Sequence, residues 1–229
     1  MKPFKVPQFN SDFRLYSEDQ ALAFAYRTGW LDDIGEFDPK EGVVQAALIP
    51  WWPHCQLITM QSPDWDNVMG AWVLDGKSNR LIRLDGTSPT IHSLNVKHRT
   101  ELTSELALSY LGFFCTFVHA SDEGMFGLVD TGHEAILPTN WPNDELEKYL
   151  KPTSLIAEDE QGFRVEASVF HSNSLSWAHF LVHRDGRCEM LDDEPMATDV
   201  SARILLRLKH KIEPDDVEPK EKQETKQIH

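Results

Sequence analysis

One apolar stripe constrains the fold of this chain more than any other feature of its sequence. In residues 101–118, large apolar side chains recur every three or four positions, and the repeating set is Leu102, Leu106, Tyr110, Phe113 and Phe117. This spacing is the period of an α-helix with one apolar face. Such a face is stable in water only when it is buried, so we predict a long central helix at 98–119 with the rest of the fold packed against it.

Two groups of predicted strands flank that helix, at 43–95 and at 152–193. Each group contains short runs rich in β-branched and aromatic residues, separated by turn-forming residues. The last two strands of the second group are joined by Asp185-Gly186, which is typical of a two-residue hairpin turn. Because hairpins pair their strands antiparallel, we predict an α+β fold with a mixed, mainly antiparallel sheet built from hairpins. The pattern fits one continuous sheet as well as two sub-sheets bridged by the helix.

Local signals predict three further elements. Ser17 is suited to cap a short helix, and Gly29 is suited to end it. The segment 87–99 is predicted to be a connector, and 197–212 is predicted to be a helix.

The chain is predicted to form one compact domain, 1–212, followed by a disordered tail, 213–229. Its 229 residues are enough for one substantial core, and 41% of them are apolar. The tail contains two prolines and almost no apolar residues, so it has little to bury.

The charge balance argues against some classes of function. Asp and Glu number 37 against 22 Lys and Arg, which gives a formal net charge of −15, and no stripe concentrates the basic residues. Such a surface repels phosphate backbones and anionic lipids, so we predict neither nucleic-acid binding nor membrane docking. The N-terminal residues lack the apolar run of a signal peptide, and the three cysteines form no pairing motif. We therefore expect a cytoplasmic protein with free thiols.

The apolar stripe also carries a cysteine and a histidine one helical turn apart, Cys115 and His119. Such a pair can act as a nucleophile and its base. A thiolate needs an electropositive setting, however, whereas Cys115 has phenylalanines at positions 113, 114 and 117, and acids follow the histidine at 122 and 123. We therefore predict that Cys115 is a buried and inert core residue.

A second candidate site comes from the register of the last predicted hairpin. With a two-residue turn at 185–186, His183 lies opposite Cys188 and His179 lies opposite Asp192. A carboxylate beside a histidine orients it as a general base, and His with Cys can ligate zinc. The two histidines lie about 13 Å apart along the strand, so they cannot share one metal ion.

No catalytic or metal-binding motif supports these pairs. The sequence has no G-x-S-x-G, H-E-x-x-H or C-x-x-C, and a third and fourth ligand beside His183 and Cys188 cannot be identified. We therefore predict no metal and no cofactor. His179 and Asp192 are kept as the candidate catalytic pair of an enzyme of hydrolase or transferase type, with His183 and Cys188 as further candidates.

The function that the sequence favours is that of a protein–protein interaction module, adaptor or complex subunit. This interpretation rests on the missing catalytic motifs and on tryptophans close to prolines, which are predicted to anchor a partner protein: Trp51, Trp52 and Trp141. Two alternatives stay open. One is the enzyme built on His179 and Asp192, and the other is an acidic nucleic-acid mimic, which needs carboxylates at phosphate-like spacing.

Overall fold

A computed structural model describes most of the chain. The described residues are 6, 8–9, 11–65, 68–120, 124–125, 127–129, 136–138, 148–171, 173–200, 202–204 and 207–208. Within them the fold is α+β, with two mainly antiparallel sheets. The predicted fold class is confirmed at this level, and the strands form two main sheets instead of one. The predicted tail, 213–229, lies outside the described residues.

Fifteen strands and four helices are present in the part of the chain that the structure describes. The strands are β1 (Arg14–Leu15), β2 (Val43–Leu48), β3 (Cys55–Gln61), β4 (Val68–Asp75), β5 (Arg80–Arg83), β6 (His119–Ala120), β7 (Gly124–Met125), β8 (Gly127–Leu128), β9 (Ile136–Pro138), β10 (Ser154–Glu158), β11 (Gly162–His171), β12 (Ser174–His183), β13 (Cys188–Ala197), β14 (Ala202–Ile204) and β15 (Arg207–Leu208). The helices are α1 (Glu18–Thr28), α2 (Leu31–Ile34), α3 (Ser88–His98) and α4 (Ser104–Phe117).

The two main sheets are built from successive hairpins. In the first sheet, β1 to β5 pair antiparallel in sequence order, and β15 adds in parallel to the start of β4. In the second sheet, β10 to β13 pair antiparallel in sequence order, and β8 pairs with β11. Two small ladders join β6 to β7 and β9 to β14.

The helix α1 begins and ends where the sequence indicates. The Ser17 hydroxyl accepts a hydrogen bond from the Gln20 backbone, and the Gln20 side chain accepts one from the Ser17 backbone. Gly29 ends the helix in the left-handed conformation with φ 64°, a conformation that glycine adopts freely. The buried side chains of α1 are Ala21, Phe24 and Ala25.

The apolar stripe forms α4, which is shorter at both ends than the predicted 98–119. Its buried side chains belong to a core cluster that also contains Leu57 of β3, Ile91 of α3 and Val165 of β11. One apolar core therefore includes residues of both sheets and of two helices.

A buried polar network joins the second sheet to the helices. The tip of the β12–β13 hairpin contacts α3 and α4, because the Gly186 carbonyl accepts hydrogen bonds from the Tyr110 hydroxyl at 2.6 Å and the Asn95 side chain at 3.2 Å. The Asn95 side-chain oxygen accepts in turn from Trp52 and Thr100. Each buried polar group in this network has a partner, so the hairpin tip is held in one position.

Two predicted elements have a different structure. The predicted connector 87–99 forms the helix α3. The predicted helix 197–212 is wrong in its described part, which contains the end of β13 and the strands β14 and β15. These two short strands exist because they pair with β9 and β4. Such tertiary pairing overrides the local helical pattern.

The turn between β12 and β13 has three residues instead of the predicted two. The Gly186 backbone donates to the His183 carbonyl, and Gly186 takes a left-handed φ of 82°, as in a type I turn closed by a glycine bulge. His183 consequently lies opposite Arg187, and Val182 pairs with Cys188. The predicted pairing of His183 with Cys188 is therefore wrong.

A one-residue bulge restores the other predicted pair. Phe180 pairs with Met190 and His179 pairs with Asp192, which leaves Leu191 as an extra residue on β13. The bulge shifts the register back by one residue, so His179 and Asp192 face each other as predicted.

Candidate functional site

An open groove lies beside α1, on the face of the first sheet that is turned away from the main core. Its volume is about 580 Å³, within the range of about 300–1,000 Å³ that is typical of binding clefts. One wall is a face of α1 formed by Gln20, Ala23, Phe24 and Arg27, which are spaced as neighbours along one side of a helix. The strands β2, β3 and β4 form the floor.

The floor of the groove is mainly apolar and partly uncovered. Ala46 and Leu48 of β2, Ile58 of β3 and Leu74 of β4 line it. Leu48 is 64% exposed, which is a large fraction for an apolar side chain on a sheet. Elsewhere on the same face, Phe24 of α1 packs against Trp72 of β4 in a second apolar cluster, so α1 covers that part of the sheet. The groove is therefore the part of this sheet face that α1 leaves open.

Two arginines border the groove, Arg14 on β1 and Arg27 in the last turn of α1. Tyr16 also lines it, and partial burial raises the pKa of its hydroxyl, while the charges of both arginines act in the opposite direction. Asp12 is the acid in the lining, which thus holds two positive charges and one negative charge.

The two arginines have no ion-pair partner among the described residues. Arg27 donates through one nitrogen to the Asn79 backbone carbonyl at 3.0 Å and to the Asn79 side-chain oxygen at 3.2 Å. Both acceptors are neutral. Neither guanidinium group at the groove therefore forms a salt bridge within the described part of the chain.

The second sheet carries the candidate pair His179–Asp192 on the face turned away from the core. His179 Nδ1 and Asp192 Oδ1 lie 2.5 Å apart, and the aspartate side chain is 70% exposed. In a neutral imidazole, this contact keeps the hydrogen on Nδ1 and leaves Nε2 as an acceptor. Glu166 is the β11 neighbour of His179, and the Trp177 ring lies 5.1 Å from the imidazole. The pair can orient a base, but it lies on an open strand surface.

The structure does not bring the other two candidates together. His183 Nε2 lies 2.9 Å from Glu189 Oε1, on the same face as His179. Cys188 packs against the main core, where burial raises the pKa of its thiol well above the usual value. Among the described residues, no group of three or more His, Cys, Asp or Glu is arranged to hold a metal ion.

The predicted tryptophan anchors do not form an exposed patch in the described residues. Trp51 and Trp52 are 5% and 0% exposed, and their rings lie 5.3 and 5.5 Å from the ring of Phe113. Rings this deeply buried present no surface to a partner in this conformation. Trp141 lies outside the described residues.

A polar cluster around Asp75 was not evident from the sequence. Its buried carboxylate accepts hydrogen bonds from Lys97 at 2.7 Å and Ser78 at 2.8 Å, which hold its pKa well below the usual range. Cys55 pairs with Asp75 across the strands and lies 3.5 Å from His98 Nε2. Burial and the nearby Asp75 charge raise the pKa of the Cys55 thiol to about 11. A thiol of that pKa stays protonated at neutral pH, so the cluster is not poised for nucleophilic attack.

Cys115 is buried, as the sequence predicts. It is 5% exposed, and burial raises the pKa of its thiol to about 12. His119 lies beyond the end of α4, in β6, with its Nε2 3.3 Å from the Thr116 carbonyl oxygen. Cys115 therefore acts as a core residue.

Comparison of the chain with protein-family models, with curated proteins and with solved structures found no match. None of the helices in the described ranges has the length and apolar character that crossing a bilayer requires. The groove and the histidine pairs are therefore the guides to function.

Proposed function

We propose that this protein is a protein–protein interaction module and that its docking site is the groove beside α1. The observation that supports this proposal is the exposed side chain of Leu48 in an apolar floor, with Arg14 and Arg27 at the border. Interfaces of non-obligate complexes have this composition, with apolar side chains at the centre and charged side chains at the rim.

The surroundings of the groove favour a helix as the bound segment. The helix α1 forms one wall, and a strip of sheet beside it stays uncovered. A partner helix laid in that strip would extend the helical layer that α1 begins, and would bury Leu48 and Leu74. Complete burial of a fully exposed leucine side chain contributes about 1.5–3 kcal/mol, and Leu48, which is 64% exposed, would gain most of that contribution in a complex.

A steric block of the groove tests this proposal. Ala23 is exposed and lines the groove, so the variant Ala23→Trp fills it. We expect proteins that are captured from the source organism by the unmodified protein to be lost with this variant. Ala157→Trp places the same ring on an exposed position of β10 and is the matched control, which should retain them.

A milder change removes only the apolar contact. Leu48→Gln should weaken binding of a captured partner by about 10- to 100-fold, as expected for one lost leucine contact. Val96→Gln is the control, because Val96 is an apolar side chain of α3 with 80% exposure that does not line the groove. Equal capture by Ala23→Trp and the unmodified protein would refute the groove as the docking site.

The His179–Asp192 contact supports a second candidate function, an enzyme in which His179 is a general base. The Nδ1 contact of 2.5 Å orients the ring as in known catalytic dyads, with Nε2 directed to a substrate or water. The open position of the pair favours the first proposal, because a general base works best in a cleft that excludes water.

Matched aspartate variants test the enzymatic alternative. Asp192→Asn removes the carboxylate that contacts His179, whereas Asp193→Asn changes the next residue, which pairs with Ala178. If a screen of ester and phosphoester substrates detects turnover, Asp192→Asn should lower it by about 100-fold or more, and Asp193→Asn should not. Turnover that is unchanged in Asp192→Asn would exclude this pair as the catalytic site.

A further inference from the structure

The groove also specifies the charge of its partner. Building on the proposed function, we propose that the bound segment is acidic as well as apolar. It places carboxylates against Arg14 and Arg27 and an aliphatic side chain on Leu48 and Leu74.

Several basic residues elsewhere in the described chain have carboxylate partners. These ion pairs are Lys97–Asp75 at 2.7 Å, Arg184–Glu158 at 2.8 Å and Arg187–Asp185 at 3.0 Å. A chain with a net charge of −15 has an excess of carboxylates. Arg14 and Arg27 nevertheless have no ion-pair partner among the described residues. The groove is therefore a local positive site on an acidic protein.

Both arginines keep hydrogen-bond donors for a ligand. Arg27 uses one terminal nitrogen for Asn79, and a guanidinium group has five N–H donors in a planar fork. That fork matches a carboxylate in two parallel hydrogen bonds. Tyr16 lines the groove as well, and its hydroxyl is a further possible donor to an acidic segment.

The strand register places the apolar and charged contacts. Leu48 and Leu74 flank Gln56 in one row across β2, β3 and β4. Arg14 pairs with Ala46, two residues before Leu48 on β2, and Arg27 contacts Asn79 in the turn that follows β4. The segment therefore lays its aliphatic side chain on the leucine row and directs its carboxylates to the arginines that border it.

Selection from a random peptide display library tests the charge of the segment. Peptides are selected on the full-length protein and counter-selected on Ala23→Trp, so that only groove binders are kept. We expect these peptides to contain Asp or Glu beside Leu, Ile or Val. Their affinity for the double variant Arg14→Glu and Arg27→Glu should fall by about tenfold or more, and it should be restored when the acids of the peptide are replaced by lysine.

A matched charge reversal separates a local effect from a change in net charge. Arg80→Glu changes an exposed arginine of β5 that does not line the groove, and it should leave peptide affinity unchanged. All these positions are exposed, so each variant should keep the circular dichroism spectrum of the unmodified protein. Arg27→Glu also removes the hydrogen bonds to Asn79, so the double variant should have a slightly lower thermal midpoint.

The outcomes distinguish this inference from the function on which it rests. Groove binders that are basic or uncharged, or that bind the double variant with undiminished affinity, would refute the inference that the bound segment is acidic. They would still support the proposal that the groove is a docking site. A selection that yields no peptide sensitive to Ala23→Trp would overturn both.

Discussion

At the scale of single residues, Gly186 is the position where substitution has the clearest consequence. Its φ is 82°, and a Cβ atom there would lie 2.5 Å from the Asn95 side-chain nitrogen and 2.7 Å from the Tyr110 hydroxyl. Gly186→Val should destabilise the protein by about 2–4 kcal/mol, because it combines backbone strain with displacement of the buried polar network. Denaturant unfolding followed by tryptophan fluorescence measures this change.

Gly29 is the matched control for the backbone contribution. It also has a positive φ, 64°, but a Cβ atom at this position would have no neighbouring atom within 4 Å among the described residues. Gly29→Ala should cost only the strain of a left-handed alanine, about 1–2 kcal/mol. If Gly186→Val costs no more than Gly29→Ala, the hairpin tip is not held by Asn95 and Tyr110 as described.

Asp75 links stability to pH. Lys97 and Ser78 lower the pKa of Asp75 in the folded protein. The ionised carboxylate therefore contributes fully to stability above its pKa in the unfolded chain, about 3.9. That contribution is lost as the pH falls from there through the lower pKa of Asp75 in the folded protein. Asp75→Asn should therefore lower the free energy of unfolding at neutral pH, and the difference from the unmodified protein should shrink below about pH 4. Urea titrations over a pH series measure both effects, with Asp193→Asn as an exposed control. A difference that stays constant into acid would contradict this assignment.

At the scale of secondary-structure elements, α1 depends on its N-terminal cap. Ser17→Ala removes the hydrogen bond to the Gln20 backbone and should destabilise the protein by about 1 kcal/mol. Thr103 provides a control, because it caps α4 without a side-chain hydrogen bond, so Thr103→Ala should cost less. Equal losses in denaturant unfolding would show that the Ser17 hydrogen bond contributes nothing.

Elements with local signals could be predicted from the sequence, and elements fixed by tertiary contacts could not. The ends of α1 follow from Ser17 and Gly29, which act on their own neighbours. The helix α3 carries few buried apolar side chains, Ile91 and Leu94 among them, so its periodic pattern was too weak to distinguish it from a connector. The strand β15 exists through pairing with β4, about which its own residues carry no information.

The candidate sites show the same division. The His179–Asp192 contact was predicted, although the three-residue turn and the Leu191 bulge that produce it together were not. Two errors of register cancelled, because each shifts the pairing by one residue in the opposite direction. The groove could not be predicted, since it depends on how much of a sheet face α1 leaves uncovered.

At the scale of the whole molecule, the shared core predicts that both sheets unfold together. The core cluster contains residues from β3 and β11 as well as from α4, and Tyr110 binds the hairpin tip of the second sheet. Amide hydrogen exchange should therefore give the same opening free energy for the most protected amides of both sheets. Tyr110→Phe should lower both values equally, by about 1–3 kcal/mol. Separate values for the two sheets would show that they fold independently.

The contact between Tyr110 and Gly186 also sets an order of events on the ribosome. The two residues are 76 positions apart in the chain, which corresponds to about 4–15 s of synthesis at roughly 5–20 residues per second. Helices form in about a microsecond, so α4 can become helical long before the second sheet has been synthesised and can cover it. During that interval the side of α4 that the second sheet later covers is accessible to chaperones and to other nascent chains, which makes the middle of synthesis the period when this helix is most exposed to aggregation.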